Sequence, residues 1–549
     1  MTKLLPNLRS KVCTGNDAER VRGRSAEVAL VTMRRRRDLV AALATAGFAG
    51  FGCFVLVWRR LAAHAVHRRY RQLVEIKRRE LESRLTRARD AGLAWENCLK
   101  WTTAHRVRTK LRQPFGSELA NQFIEPNELL NMTATELLGA MSFGRLSSEY
   151  VMRCVIARAI EVDETLRAVT EQAYEEALAE AKACDLERAE GKLRGPLHGL
   201  PFSVKEQIRM AGFQSTCGAC CRLAEAPSED TALLVTLAKQ AGAIPFARTN
   251  VPQLLMLPET FNAIYGTTCN PFDLGRSPGG STGGECALIA ARGSPLGLGT
   301  DVGGSVRIPA FMTGLCAFKP TVDRLSSKGI TVPRRGNRSG QREVRSAPGP
   351  IARCVADLEL MMHALCQPAM YAADTTIPRM PWDRASVGPR ANGPTAKGPT
   401  AKGPLRRGSE GAKPLRFGYF VTDHWFEPAE ACKRAVRGTA ELLRAAGHEV
   451  VEFAPLEMAE AAKLYVALLS ADGNFRGFLD GIDGENLHPN YAFLCKVACI
   501  PNWIRPLLSA IMRHTLGEPR KADLVLSSSA KTAHEYWQVI TRVTAYDGL

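Results

Sequence analysis

The 549-residue chain has no regular cysteine framework, although it carries sixteen cysteines. The densest cluster, Cys217-Gly218-Ala219-Cys220-Cys221, is not followed within a short module by the second ligand pair that a zinc site requires. Scattered thiols of this kind fit a reducing compartment. A P-loop is excluded as well, because the glycine-rich run Gly279–Gly284 lacks the Gly-Lys-Ser/Thr ending. None of the ten histidines stands in a motif comparable to the serine loops described below, so a serine–histidine pair has no support. Charge is scarce where a nucleic-acid-binding body would need it. The chain totals 73 Lys/Arg against 55 Asp/Glu, yet residues 1–120 alone hold 26 of the former and 10 of the latter. The remainder is nearly neutral, and no base-reading module accompanies the basic arm, so nucleic acid is not expected as a partner.

What is present has the composition of a folded protein, 45% hydrophobic and 23% charged, in a chain long enough for one large core or two ordinary ones. Residues from Leu39 to Trp58 carry no charge, with Arg34–Arg37 before them and Arg59 and Arg60 after. As a helix this run is long enough to cross a bilayer core. The pattern predicts a basic extension over 1–38, a single transmembrane helix over 39–58 and a basic helical linker over 59–120. The linker's arginines would lie near anionic lipid headgroups. Arginines on both sides of the span pull its orientation both ways. Asn131-Met132-Thr133 and Asn337-Arg338-Ser339 are acceptor sequences whose glycosylation would report a lumenal body.

Residues 121–549 read as one domain. Thr133-Ala134-Thr135-Glu136 is a capping box that opens a helical region running to about Lys192. From Leu197 the pattern changes to short apolar strands, helices and glycine turns, as in strands over 200–204 and 243–247 around a helix over 230–241. Such alternation argues for an α/β sandwich around a twisted sheet. Residues 388–414 repeat Gly-Pro-Thr-Ala-Lys and read as a flexible surface insertion. Beyond them the pattern predicts a strand over 415–420, a helix over 427–446 and a strand over 448–453.

Two glycine-rich turns each present a serine. They are Ser277-Pro278-Gly279-Gly280-Ser281-Thr282-Gly283-Gly284-Glu285 and Gly299-Thr300-Asp301-Val302-Gly303-Gly304-Ser305-Val306-Arg307-Ile308-Pro309. Upstream, Lys205 ends the apolar run Leu200-Pro201-Phe202-Ser203-Val204. Amide hydrolysis needs a nucleophile, a base, a proton donor for the leaving amine and donors for the oxyanion. Ser305 suits the nucleophile, because glycines before it let the N–H groups of residues 302–305 approach a carbonyl oxygen. Lys205 suits the base if burial holds it neutral. Ser281 can bridge the two, passing a proton toward Lys205 and later back to the leaving nitrogen.

The stretch from about Leu197 to Arg353 resembles the amidase signature family, most closely its integral membrane members that cleave fatty acid amides. The resemblance rests on Leu200-Pro201-Phe202-Ser203-Val204-Lys205-Glu206, Thr249-Asn250-Val251-Pro252-Gln253, the two serine loops and Phe318-Lys319-Pro320-Thr321. It implies an α/β/α sandwich around a large mixed sheet, with Lys205 as base, Ser281 as bridging serine after a cis Gly280-Ser281 bond, and Ser305 as acylated nucleophile. It further implies an oxyanion hole of Val302, Gly303, Gly304 and Ser305, substrate contact through the backbone of Leu255, and no metal or organic cofactor. Thr282 replaces the second serine of the usual Gly-Gly-Ser-Ser-Gly-Gly run, with a modest effect expected. Residues 500–513, with Trp503 and several Ile and Leu between Arg505 and Arg513, resemble a hydrophobic membrane cap. The expected partners are a fatty acid amide, the bilayer and a second copy of the chain, at the endoplasmic reticulum or another endomembrane with the catalytic domain cytosolic. The carboxyl end departs from the family, since Tyr546-Asp547-Gly548-Leu549 falls where a family strand begins, so the domain is expected to lack its last part. The rival readings are an amidase of the soluble type or an amide-transferring subunit acting on polar amides, and a catalytically inactive membrane homologue.

Overall fold

In the computed structural model of the chain, the described residues are 48–98, 100–101, 124–333, 342–380, 382, 414–473 and 475–548. The basic extension, the first part of the apolar run, Asn337 and nearly all of the 388–414 insertion lie outside them. The chain divides into two units, Met1–Arg69 and Tyr70–Leu549. The described part of the first is the opening of α1 (Phe48–Asp90), a helix of 43 residues. No helix among the described residues is long and apolar enough to cross a membrane.

Within the second unit, α1 from Tyr70 onward is basic but not simply solvated. Lys77 is buried and pairs with the buried Glu171 at 2.8 Å, and Arg84 lies 3.8 Å from the same carboxylate. Arg89 pairs with Glu164 at 2.6 Å, and Arg78 donates to the carbonyls of Ile264 and Ala263. Several cations expected to face lipid are therefore spent on the body. The reason is that a carboxylate sealed beside the sheet needs a counter-charge.

The capping box opens α2 (Ala134–Ser142) as expected, with Thr133 and Glu136 bonded reciprocally. The helical region does not run unbroken to Lys192. Helix α3 (Ser148–Leu166) ends at Arg167, whose φ is 51°, and strand β1 (Val169–Gln172) intervenes before α4 (Tyr174–Ala189). Asp163 causes the break, its carboxylate accepting the N–H groups of Ala168 and Val169 that would otherwise continue the helix. The β-branched Val169 and Thr170 then suit an extended backbone.

The remaining strands are β2 (Pro201–Lys205), β3 (Ile244–Thr249), β4 (Leu296–Asp301), β5 (Cys316–Ala317) and β6 (Ala347–Ala352). They form with β1 one six-stranded mixed sheet in the order β1-β3-β2-β4-β6-β5. The pairs β3/β2 and β2/β4 are parallel, and the other three are antiparallel. Every residue of β2, β3, β4 and β6 is buried, so both faces of the sheet are covered, as in a sandwich. Helices α5 (Leu233–Gln240), α6 (Gly283–Ala290) and α8 (Val355–Leu365) pack on it, while α7 (Arg307–Met312) follows the second serine loop. The strands expected after the insertion are present as β7 (Arg416–Tyr419) and β8 (Glu449–Glu452), joined by α9 (Glu430–Ala445). They pair in parallel with each other as a separate two-stranded sheet.

The carboxyl-terminal part is helical: α10 (Met458–Leu469), α11 (Arg505–His514), α12 (Pro519–Ser527) and α13 (Ala533–Asp547). Leu507 and Ile511 are exposed four residues apart on α11, and Trp503, exposed on the 3-10 turn Asn502–Ile504 just before it, extends the same spacing. Arg505 does not flank these side chains as expected. It is buried, donating to the carbonyls of Val497, Ile500 and Val525 and to the Ser528 hydroxyl, while Arg513 pairs with Asp523.

Candidate active site

Lys205 is the last residue of β2, a central strand, so its ammonium-bearing chain leaves the sheet inside the core. It is 0% exposed. Ser281 precedes α6, after the cis Gly280–Ser281 bond. The structure brings these two together, with Lys205 Nζ 2.9 Å from Ser281 Oγ. Thr300, on β4 next to β2, supplies the other partners of Lys205: its hydroxyl at 2.9 Å and its carbonyl at 3.3 Å. Burial strips water from the ammonium and lowers the Lys205 pKa to about 7, against the opposing pull of the Asp301 carboxylate. A lysine poised there can exchange a proton near neutral pH. Glu285, one turn into α6, shares this core. Its burial raises its pKa to about 8, although Ser203 and Thr249 donate to its carboxylate.

Ser305 lies on the loop between β4 and α7 and is half-buried. Its carbonyl accepts the N–H of Thr282 at 3.1 Å, which ties the two serine loops together by their backbones. The loop is shaped by Asp301. That carboxylate accepts the N–H of Gly304 at 2.8 Å and of Val306 at 3.1 Å, and forms a two-pronged pair with Arg307. Burial alone would raise the Asp301 pKa, but Arg307 and these N–H groups outweigh it and hold it below the usual range. One expectation changes here. The N–H of Gly304 is engaged by Asp301, whereas those of Val302, Gly303 and Ser305 make no hydrogen bond to a described residue. Three donors beside the Ser305 hydroxyl can thus receive an oxyanion, and Gly304 serves by its φ of 117°, a conformation that favours glycine.

Val302 faces a cleft of about 350 Å³ with an apolar wall that includes Met256, Leu469, Phe475 and Phe478. Leu255 adjoins that wall without forming it. Its N–H bonds to the Pro252 carbonyl, and it follows Leu254 with both residues at positive φ, 56° and 63°. Non-glycine residues held there cost about 1–3 kcal/mol each and persist only where the surroundings enforce them.

Sequence reasoning missed Thr300, Asp301 and Arg307, although all three lie in the second serine loop. An acid and a base flanking a Gly-Gly-Ser turn were the available signal. Among the described residues one trio, Cys184, Glu187 and His198, could gather around a metal ion. It is not part of this site. The His198 Nδ1 accepts the Arg194 N–H, its Nε2 bonds to the Cys184 carbonyl, and Glu187 is engaged by Arg194. The fourteen cysteines from Cys98 to Cys499 are free thiols.

A family model described as "Amidase" matches residues 150–545, which include every residue of this site. The chain belongs to the amidase signature family. This amidase is 33% identical over 429 residues to the pig (Sus scrofa) protein "Fatty-acid amide hydrolase 1", with 78% of the chain and 68% of that protein covered. It is 32% identical over 500 residues to the chicken (Gallus gallus) "Vitamin D3 hydroxylase-associated protein", covering 90% of the chain and 94% of the relative. A solved structure of "Fatty acid amide hydrolase" superposes with a TM-score of 0.60 at 26% identity, covering 81% of this amidase and 76% of that chain. The mixed α/β fold and the class of reaction, hydrolysis of an amide, follow from membership in the family.

Proposed function

We propose that this amidase cleaves fatty acid amides through an acyl-enzyme on Ser305. The observation that carries the reading is the 2.9 Å contact between the buried side chains of Lys205 and Ser281, Nζ to Oγ. Neutral Lys205 takes the proton of Ser281 as Ser281 takes that of Ser305, and the Ser305 oxygen adds to the substrate carbonyl. The oxyanion receives N–H groups of the Val302–Ser305 loop. As the C–N bond breaks, the proton returns from Lys205 through Ser281 to the departing nitrogen. Water, activated by the same relay, then releases the fatty acid and restores Ser305. The apolar cleft beside Val302 suits an acyl chain; Met256 lines it, and Leu255, next to Met256 in the chain, would meet the substrate through its backbone. No cofactor enters this scheme.

Membrane residence belongs to the same proposal: one span over 39–58, a stripe of Trp503, Leu507 and Ile511 resting on the bilayer as a cap, and a homodimer on the cytosolic side of the endoplasmic reticulum or another endomembrane. The uncharged run, its arginine flanks and the exposed stripe support it.

The test compares amine release from oleamide and from a short-chain primary amide by the full chain, with and without Ser305→Ala. The expected result is faster turnover of oleamide, and loss of both turnover and fluorophosphonate labelling in the variant. Labelling retained at full rate would remove Ser305 as nucleophile, and a preference for the short amide would favour the polar-substrate reading.

A further inference from the structure

Gln207 stands two residues beyond Lys205, is 4% exposed and lines the cleft that Val302 faces. The two ends of its side-chain amide have different partners. Its Nε2 lies 3.0 Å from the Thr331 carbonyl, which can only accept. Its Oε1 therefore faces Thr300, whose Oγ1 is 2.8 Å away. An amide oxygen cannot donate, so the single hydroxyl proton of Thr300 is committed to Gln207. Thr300 Oγ1 is then left only as an acceptor toward Lys205 Nζ, at 2.9 Å. A neutral amine has two N–H groups and one lone pair. One N–H goes to Thr300 Oγ1 and the other to the Thr300 carbonyl at 3.3 Å, which leaves the lone pair for Ser281 Oγ at 2.9 Å.

We propose that Gln207 is a positioning residue of the hydrolysis: by fixing the direction of the Thr300 hydroxyl, it keeps the lone pair of Lys205 aimed at Ser281. Without the amide, Thr300 can turn its proton onto the Lys205 nitrogen and compete with Ser281 for the same lone pair. This inference rests on the reading of Lys205 as the base. The other ionisable groups acting on Lys205 are Asp301 at the end of β4, Glu206 beside it in the chain, Cys217, and Glu285 and Cys286 on α6. All of them stay in place when Gln207 is changed, so a displaced pH profile reports the amide itself.

The experiment measures kcat and KM of the full chain on a soluble short-chain amide from acid to alkaline pH. Gln207→Leu keeps the volume and removes the polar atoms. Its plateau kcat should fall about tenfold, a fraction of what general base catalysis contributes. The acid limb should move down by about half a pH unit, because the ammonium form loses an oriented acceptor. Thr300→Val removes the same acceptor, so adding Gln207→Leu to it should change neither quantity further. Should Gln207→Leu melt early, Gln207→Met gives the same reading in a side chain of equal length. Either variant with plateau and limb like the native protein overturns the proposal, as does a double variant in which the two effects multiply. If Lys205→Ala keeps full activity, the base assignment fails and takes this inference with it. If Lys205→Ala is inactive and the Gln207 variants are unaffected, only the role of Gln207 falls.

Discussion

Lys205 in the sheet region and Arg505 in the carboxyl-terminal helices are both sealed from water, at 0% and 1% exposure. Both are surrounded by oxygen. Lys205 has Ser281 Oγ and both oxygens of Thr300. Arg505 reaches the carbonyls of Val497, Ile500 and Val525 and the Ser528 hydroxyl, at 2.7–3.1 Å. Burial lowers the pKa of each. The outcomes differ because of the side chains. An ammonium is a compact, strongly hydrated charge whose pKa moves readily when water is removed, so Lys205 arrives near neutrality and can work as a base. A guanidinium keeps its proton, and its planar fork serves several carbonyls at once. Val497, in a short helix Ala492–Ala498, and Val525, in α12, lie in the last turns of those helices, where carbonyls lack intrahelical partners. Arg505 satisfies them, so one region uses burial to release a proton and the other uses a retained charge to close helix ends.

Exchanging these roles should be costly in different ways. Lys205→Ala should reduce kcat by about 10²–10⁴ near pH 7, the range that general base catalysis contributes. In the native protein kcat/KM should fall as pH drops through about 7, following protonation of Lys205. The stability consequence has a definite sign. Lys205 titrates near 7 when folded and near 10.5 when unfolded, so between those values the unfolded chain binds more protons and native stability rises with pH. Below about 7 both states are protonated and the full penalty of burying the charge remains. Lys205→Met should flatten this slope in melting curves, and a slope unchanged by the substitution would contradict a depressed pKa. Arg505→Met should act oppositely. Turnover per folded molecule is kept, while stability drops by about 3 kcal/mol as buried carbonyls and the Ser528 hydroxyl lose their donor. A melting temperature equal to the native one would show that water replaces the clamp.

The same pair shows what could be read in advance. Lys205 stood out because it ends an apolar strand upstream of two serine loops, and family resemblance assigned its role. The Thr133–Glu136 capping box was legible because it uses only neighbours three residues apart. Arg505 was misjudged as an exposed flank because its partners come from two separate segments, 497–500 and 525–528, and an arginine inside an apolar run looks the same whether it faces water or carbonyls. The strand at Val169 was lost in a helical stretch, since the break depends on Asp163 turning back onto Ala168 and Val169. Gln207 and Thr300 carried no signal, as a buried amide and hydroxyl acquire meaning only when the strands align them.

Surface and core should also separate in smaller effects. Serine at Trp503, Leu507 and Ile511 together should lower turnover of a long-chain amide in vesicles about tenfold relative to a soluble short amide if, as proposed, these exposed side chains rest on the bilayer. Equal loss on both substrates would return the stripe to ordinary packing. The smallest effect is expected from Thr282→Ser, inside the core. Thr282 is fully buried, but its link to the reacting loop is its backbone N–H on the Ser305 carbonyl, which any residue provides. Its hydroxyl reaches the Thr300 carbonyl only at 3.3 Å, and serine keeps that group. What serine loses is one methyl, worth about 0.5–1.5 kcal/mol of stability as a buried methylene-sized deletion. Turnover should therefore stay within about threefold, a change below 1 kcal/mol in barrier height. A hundredfold loss would mean that the methyl group holds the Ser281 turn in register with Lys205, and would extend the positioning shell of the base from the sheet into the first serine loop.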